Sequence, residues 1–187
     1  AQELDTARRL LDDANQRLAF IASHDALTGL ANKAGFTGHI ERAIAAGPSA
    51  AFALLRVRVR QPDAALGYEG AEAFIAEVAR RLRGAVHEQD VPARFGGGEF
   101  ALLLHSVADA AQASGACGAI GAALAEPVAI DGLPVACDFT TGITLYPRDA
   151  GDARDADTLL RHAQMALEGA RMQGQGSHHF YSAQLSD

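Results

Sequence analysis

Apolar residues recur at helical spacing near the N-terminus of the chain. Over residues 1–22 the apolar positions are separated by three and four residues in alternation, at Leu4, Ala7, Leu11, Ala14, Leu18 and Ile21. This seam of three heptads is typical of a helix that pairs with another helix. It predicts a signalling helix that forms a homodimer or joins an upstream sensor; packing against the helix's own domain is the alternative.

Strand and helix patterns alternate along the rest of the chain. Helices are predicted over residues 33–46, 69–84, 107–125 and 155–172, the first of them capped by Asn32. Strands are predicted over residues 51–60, 91–95, 100–104, 136–146 and 178–181, with a small hairpin over residues 127–135. This order, β-α-β-β-α-β with additions, predicts an α+β fold: a ferredoxin-like antiparallel sheet with helices on one face. Residues 23–181 are expected to form one domain and residues 182–187 to begin a linker.

The composition of the chain excludes some classes of function. The 187 residues are 49% hydrophobic, enough for a sizeable core, and carry a net charge of -7, which argues against a nucleic-acid partner. Cys117 and Cys137 show neither metal spacing nor a disulfide framework, which favours a reducing cytoplasm. The chain begins without Met and within a helical pattern, so we expect it to be a piece of a longer protein. The sequence leaves open whether that longer protein is anchored to a membrane.

Three successive glycines, Gly96, Gly97 and Gly98, stand between two predicted strands in the stretch RFGGGEFALLL. Glycine permits either a tight hairpin or the close approach of a ligand to bare backbone. The sequence leaves both interpretations open.

Four segments together resemble one known family. They are DALTGLANKAGF (25–36), ARFGGGEFALLL (93–104), TTGITLYP (140–147) and ADTLLRHAQMALEGARMQGQG (156–176). Their content, order and spacing resemble those of GGDEF domains, the diguanylate cyclase domains. The resemblance implies a bacterial signalling domain whose active relatives condense two GTP molecules into cyclic di-GMP, with magnesium and one GTP in each subunit of a dimer.

The metal-binding carboxylates of that family are missing. Gly98 stands where the signature has Asp or Glu, and Glu99 normally accompanies that ligand rather than replacing it. The aspartates of the first strand fall on arginines or on apolar residues, depending on a one-residue slip: Arg56 and Arg58, or Leu55 and Val57. We therefore expect no cofactor, with magnesium required only if the domain is active.

Three arginines alternate on that first strand, at positions 56, 58 and 60. Residues two apart share a strand face. Either these side chains form a solvated face, or one of them replaces the metal and neutralises a triphosphate.

Other family positions are changed but still polar. The resemblance gives Asp63, Glu72 and Arg171 as nucleotide-binding candidates, while Gln175 replaces an arginine. The inhibitory cyclic di-GMP site of the family is only partly retained, because His87 replaces its arginine although Asp90 remains.

The resemblance thus implies a degenerate GGDEF domain that has lost catalysis. Its expected roles are regulation, sensing of GTP or cyclic di-GMP, or dimerisation. The tail HHFYSAQLSD (178–187) resembles the run into an EAL phosphodiesterase domain, so such a neighbour is expected. The alternative is an active diguanylate cyclase with displaced metal ligands.

Overall fold

The computed structural model describes residues 1–151, 154–172, 174 and 176–182, without the side chain of Arg171. The helices are α1 (Gln2–Ser23), α2 (Lys33–Ala45), α3 (Gly67–Gly84), α4 (Ala110–Leu124) and α5 (Ala156–Arg171), with a short 3-10 helix at Ala64–Leu66. The strands are β1 (Phe52–Val59), β2 (Val91–Gly96), β3 (Glu99–Leu104), β4 (Val128–Ile130), β5 (Leu133–Val135), β6 (Phe139–Tyr146) and β7 (His178–Phe180). The predicted elements are confirmed, with shifts of one to three residues at most of their ends.

The main sheet has the strand order β2-β3-β1-β6-β7, and β4 and β5 form a separate hairpin. Its first four strands pair antiparallel in the ferredoxin-like order, as predicted. Strand β7 differs, because it pairs parallel to β6. The chain leaves β6, crosses through α5 and re-enters beside β6, and such a crossover joins parallel neighbours.

Helices cover both faces of the sheet, so the prediction of helices on one face is wrong. Leu55 belongs to the core cluster that contains residues of α3 and α4, such as Phe74. Its neighbour Leu54 belongs to the cluster that contains residues of α2 and α5, such as Leu159. The signal was present in the unbroken apolar run at the start of β1, because a strand that is buried on both faces need not alternate.

Helix α1 has no buried residue. Leu4, Leu11, Leu18 and Ile21 of the seam are all more than 60% exposed. The seam therefore does not pack on the domain that follows it, which removes the intramolecular alternative for this chain. None of the described helices is long and apolar enough to cross a membrane.

Helix α1 contacts the domain through a small region where its C-terminal end meets the start of α2, which we call the joint. Asn32 caps α2 as predicted, since its Oδ1 accepts from the Gly35 amide at 2.9 Å. Its Nδ2 donates to the Ala22 carbonyl of α1 at 3.0 Å. A Cβ on Gly35 would lie 2.2 Å from the Ser23 carbonyl oxygen, so only glycine permits this approach of α2 to α1.

Candidate functional site

The three glycines of the β2–β3 turn have three different environments. Gly96 and Gly97 adopt φ angles of 125° and 51°, in the region that favours glycine. Gly98 instead lies against β1: its carbonyl accepts from the Val59 amide at 2.8 Å. An added Cβ on Gly98 would be 2.0 Å from the Val59 carbonyl oxygen. The turn is therefore a tight hairpin closed onto the end of β1.

An ion-pair cluster lies beside this turn. The register pairs Arg58 with Glu99 across β1 and β3. Glu99 accepts from Arg58 Nη2 at 2.8 Å and from Arg56 Nη2 at 3.3 Å. Arg58 also contacts Glu168 of α5 at 3.3 Å, and Arg56 lies over the Phe95 ring at 5.1 Å. Burial lowers the pKa of Arg56, although Glu99 opposes that shift.

Strand alternation places the two candidate pairs of first-strand positions on opposite faces of the sheet. Leu55 and Val57 are buried in the core on the α3 side. Arg56 and Arg58 lie on the opposite face, with Glu99.

These residues do not fit a divalent cation. A metal ion that reached Glu99 would replace two guanidinium groups and face their positive charge, and magnesium prefers several oxygen ligands. Across the part of the chain that the structure describes, no group of three His, Cys, Asp or Glu side chains is placed to hold a metal.

A groove of about 600 Å³ opens next to the cluster. The glycine turn forms one wall, and the other lining residues include Arg60, Gln61, Asp138 and Thr140. We call it the turn groove. It joins the hairpin to the ends of β1 and β6.

A second groove of similar volume lies between α3 and the segment that follows α1. Glu72, a predicted nucleotide contact, lines it together with Tyr68, Gln61 and Arg94. We call it the α3 groove. A hydrogen bond to Glu72 raises the pKa of the Tyr68 hydroxyl. The groove thus presents a carboxylate, a phenol and an amide to a ligand.

A partly buried ion pair connects the segment after α1 to the glycine turn. Asp25 accepts from Arg94 Nη1 at 3.1 Å and from the Thr28 amide and hydroxyl at 3.0 and 2.8 Å. Arg94 Nε also donates to the Gly97 carbonyl at 3.2 Å. Burial raises the pKa of Asp25, but the bonds from Thr28 and Arg94 outweigh it and hold that pKa below its usual value. Sequence reasoning missed Arg94, because nothing local links residues 69 positions apart.

Asp63 lines neither the turn groove nor the α3 groove. Its Oδ1 accepts from the Ala65 amide at 3.4 Å and caps the short 3-10 helix. The sequence predicted that Asp63 and Glu72 both contact the nucleotide; of the two, only Glu72 lines one of these grooves. Arg171's side chain and Gln175 lie outside the described residues.

Asp90 of the predicted inhibitory site is buried. Its carboxylate accepts from the His87 amide at 3.1 Å, the His105 amide at 2.8 Å and the Ser106 hydroxyl at 3.3 Å. These bonds hold the turn before β2 to the end of β3. Asp90 has a structural role here, whether or not a ligand also binds near His87.

Comparison with known proteins matches the chain to one family model, "Diguanylate cyclase, GGDEF domain", over residues 22–177. Among curated proteins, diguanylate cyclase TpbB of Pseudomonas aeruginosa is 36% identical over 191 residues, covering 99% of this chain and 43% of that protein. The cyclic di-GMP phosphodiesterase NbdA of Pseudomonas aeruginosa is 29% identical over 180 residues, covering 94% of this chain and 22% of that protein. The chain thus spans less than half the length of these relatives.

Solved structures show the same fold. The crystallised GGDEF domain of TpbB, also called YfiN, from Pseudomonas aeruginosa is 32% identical, with a TM-score of 0.79 over 87% of this chain and 96% of that chain. The coiled coil and GGDEF domain of DgcB from Caulobacter crescentus, solved with c-di-GMP, has a TM-score of 0.81 over 96% of both chains. At 17% identity, that second similarity concerns the fold alone.

Proposed function

This chain belongs to the GGDEF family of diguanylate cyclase domains, and we propose that it is a non-catalytic member that binds a guanine nucleotide and regulates adjacent domains. One observation carries the proposal: Gly98 supplies no carboxylate at the signature position, and on the neighbouring face Arg56 and Arg58 neutralise Glu99, the acid that remains. The proposed module consists of residues 23–181 behind a signalling helix over residues 1–22.

Loss of catalysis follows from the charge of this face. Phosphoryl transfer relies on positioning and on stabilisation of developing negative charge, for which metal ions are the usual source. At an effective dielectric constant of about 20, two unit charges 4 Å apart interact by roughly 4 kcal/mol, and a divalent ion carries twice that charge. Two guanidinium groups beside Glu99 therefore oppose metal binding there. We propose that the domain needs no magnesium or other cofactor.

Nucleotide binding is a separate property. The α3 groove retains Glu72, whose carboxylate can accept from the N1–H and N2–H₂ groups of guanine. The turn groove lies on the other side of Gln61 and offers Arg60 to a phosphate. We propose GTP as the ligand of this pair of grooves, with cyclic di-GMP as the second candidate. We propose a cytoplasmic location for the domain.

The exposed seam of α1 supports a pairing role. Leu11 and Leu18 lie on one helix face with no contact to the domain core. An exposed a/d seam is stabilised when a second helix covers it. We propose that α1 pairs with α1 of a second copy, and that the narrow joint at Asn32 transmits changes between this helix pair and the domain. An EAL phosphodiesterase domain is the proposed neighbour after residue 187.

An active diguanylate cyclase is the second candidate. The observation that favours it is the 36% identity to a protein named diguanylate cyclase TpbB. Under this alternative, Glu99 and Glu168, which both contact Arg58, would have to release the arginine and bind the metal instead.

Calorimetric titration of the chain with GTP and with cyclic di-GMP, each with and without magnesium, tests the proposal. We expect GTP binding of equal affinity in both conditions, and chromatography of the same mixtures should reveal no cyclic di-GMP. Glu72→Ala should abolish binding. Glu69→Ala, on the same helix but outside both grooves, is the matched control and should not. Product that increases with protein concentration refutes the loss of catalysis.

A further inference from the structure

Gln61 follows β1 and separates the two grooves. Of all the described residues, it alone lines both the turn groove and the α3 groove. A ligand that occupied both grooves would therefore have to pass its side chain. No sequence motif predicts this location of Gln61 between the two grooves.

The glycine turn leaves room for this side chain. A Cβ on Gly97 would lie 3.0 Å from Gln61 Nε2, and a Cβ on Gly98 would lie 3.5 Å from Gln61 Cγ. A Cβ at position 97 would displace the amide by a few tenths of an ångström. Within the described part of the chain, the Gln61 side chain has no hydrogen-bond partner, so both its donor and its acceptor are available to a ligand.

The chemistry of Gln61 complements that of Glu72. A carboxylate only accepts hydrogen bonds, whereas an amide both donates and accepts. The guanine base presents the N1–H and N2–H₂ donors on one edge and the O6 and N7 acceptors beside them. A carboxylate such as Glu72 can accept from the donors, and an amide N–H group such as that of Gln61 can donate to an acceptor that a carboxylate would repel.

We propose that Gln61 is a specificity-determining contact for guanine, which donates to the O6/N7 edge of the base while Glu72 accepts from its N1–H and N2–H₂ groups. This inference rests on the proposed nucleotide-binding function. Gln61 takes the role of base contact for which the sequence suggested Asp63, whose carboxylate caps the 3-10 helix and lines neither groove. Gln61 thereby joins base recognition in the α3 groove to the phosphates in the turn groove.

Titration of Gln61→Ala with GTP and with ATP tests this assignment. One hydrogen bond to the base predicts a loss of about five- to tenfold in GTP affinity. The affinity for ATP should change less, so the preference for GTP over ATP should fall. A residue with only a structural role would not alter that preference. Gln16→Ala, an exposed glutamine of α1, is the control, and melting temperatures should show that each variant is folded.

The outcomes separate this inference from the function on which it rests. If Glu72→Ala abolishes GTP binding while Gln61→Ala keeps both affinity and preference, the role of Gln61 is refuted and the proposed function stands. If Asp63→Ala lowers the GTP preference and Gln61→Ala does not, Asp63 is the base contact. If the unaltered chain binds no GTP, the nucleotide-binding function itself is refuted, together with the role of Gln61.

Discussion

Replacement of Gly98 tests whether the closed turn explains the glycine at this position. A Cβ there would lie 2.0 Å from the Val59 carbonyl oxygen, against 3.4 Å for ordinary contact, so the strands must separate locally by about 1.4 Å. Overpacking of this kind costs roughly 1–3 kcal/mol. The Val59–Gly98 hydrogen bond of 2.8 Å, once weakened, adds up to about 1 kcal/mol. We therefore expect Gly98→Ala to lower the free energy of unfolding by about 1–4 kcal/mol and the melting temperature by about 2–15 °C.

Thermal unfolding followed by circular dichroism measures this effect. Gly118→Ala is the matched control, because a Cβ on Gly118 meets open space within a helix and should raise stability by about 0.5–1 kcal/mol. An unchanged or raised melting temperature for Gly98→Ala contradicts the close approach. Gly98→Asp recreates the family signature but should not restore cyclase activity, because the arginine cluster remains. Turnover of GTP with magnesium by that variant would show that the arginines do not block the metal.

Three further predictions concern other contacts. Leu11→Lys combined with Leu18→Lys should shift a dimer to monomer in sedimentation. The melting temperature of the domain should not fall, because both side chains are exposed within the chain. If the unaltered chain is a dimer and the double variant sediments in the same way, pairing through α1 is refuted. Asp90→Ala should lower stability by about 2–3 kcal/mol in urea unfolding, because three donors lose the buried carboxylate that accepts from them; an unchanged midpoint contradicts this role. The pKa of Asp25 is lowered in the folded protein, so its ion pair with Arg94 stabilises the fold fully above the unfolded-state pKa of about 3.9 and less as pH falls through the folded-state pKa. Asp25→Asn should therefore reduce the loss of stability at low pH. An identical dependence of stability on pH in this variant refutes the prediction.

The residues of the candidate site were only partly predictable. Position 98 was identified from the sequence because a signature of fixed spacing surrounds it. The pairing of Arg58 with Glu99 depends on the register between β1 and β3, which a pattern of apolar residues does not specify. Gln61 lies next to no motif, and its position between two grooves exists only once the chain has folded. Asp63 was favoured by alignment alone, and in the structure it caps the short 3-10 helix and lines neither groove.

The sequence by itself determined the elements, their order and the family, since these depend on local periodicity and on motifs carried by short segments. It also determined the apolar seam of α1, because a repeat of three and four is a property of one helix, whereas the exposure of that seam came from the structure. Tertiary structure alone decided that both sheet faces are covered, that Gly98 lies against Val59 and that Arg94 reaches Asp25. These facts join residues far apart in the chain, and their energies depend on distances that only the packed molecule sets.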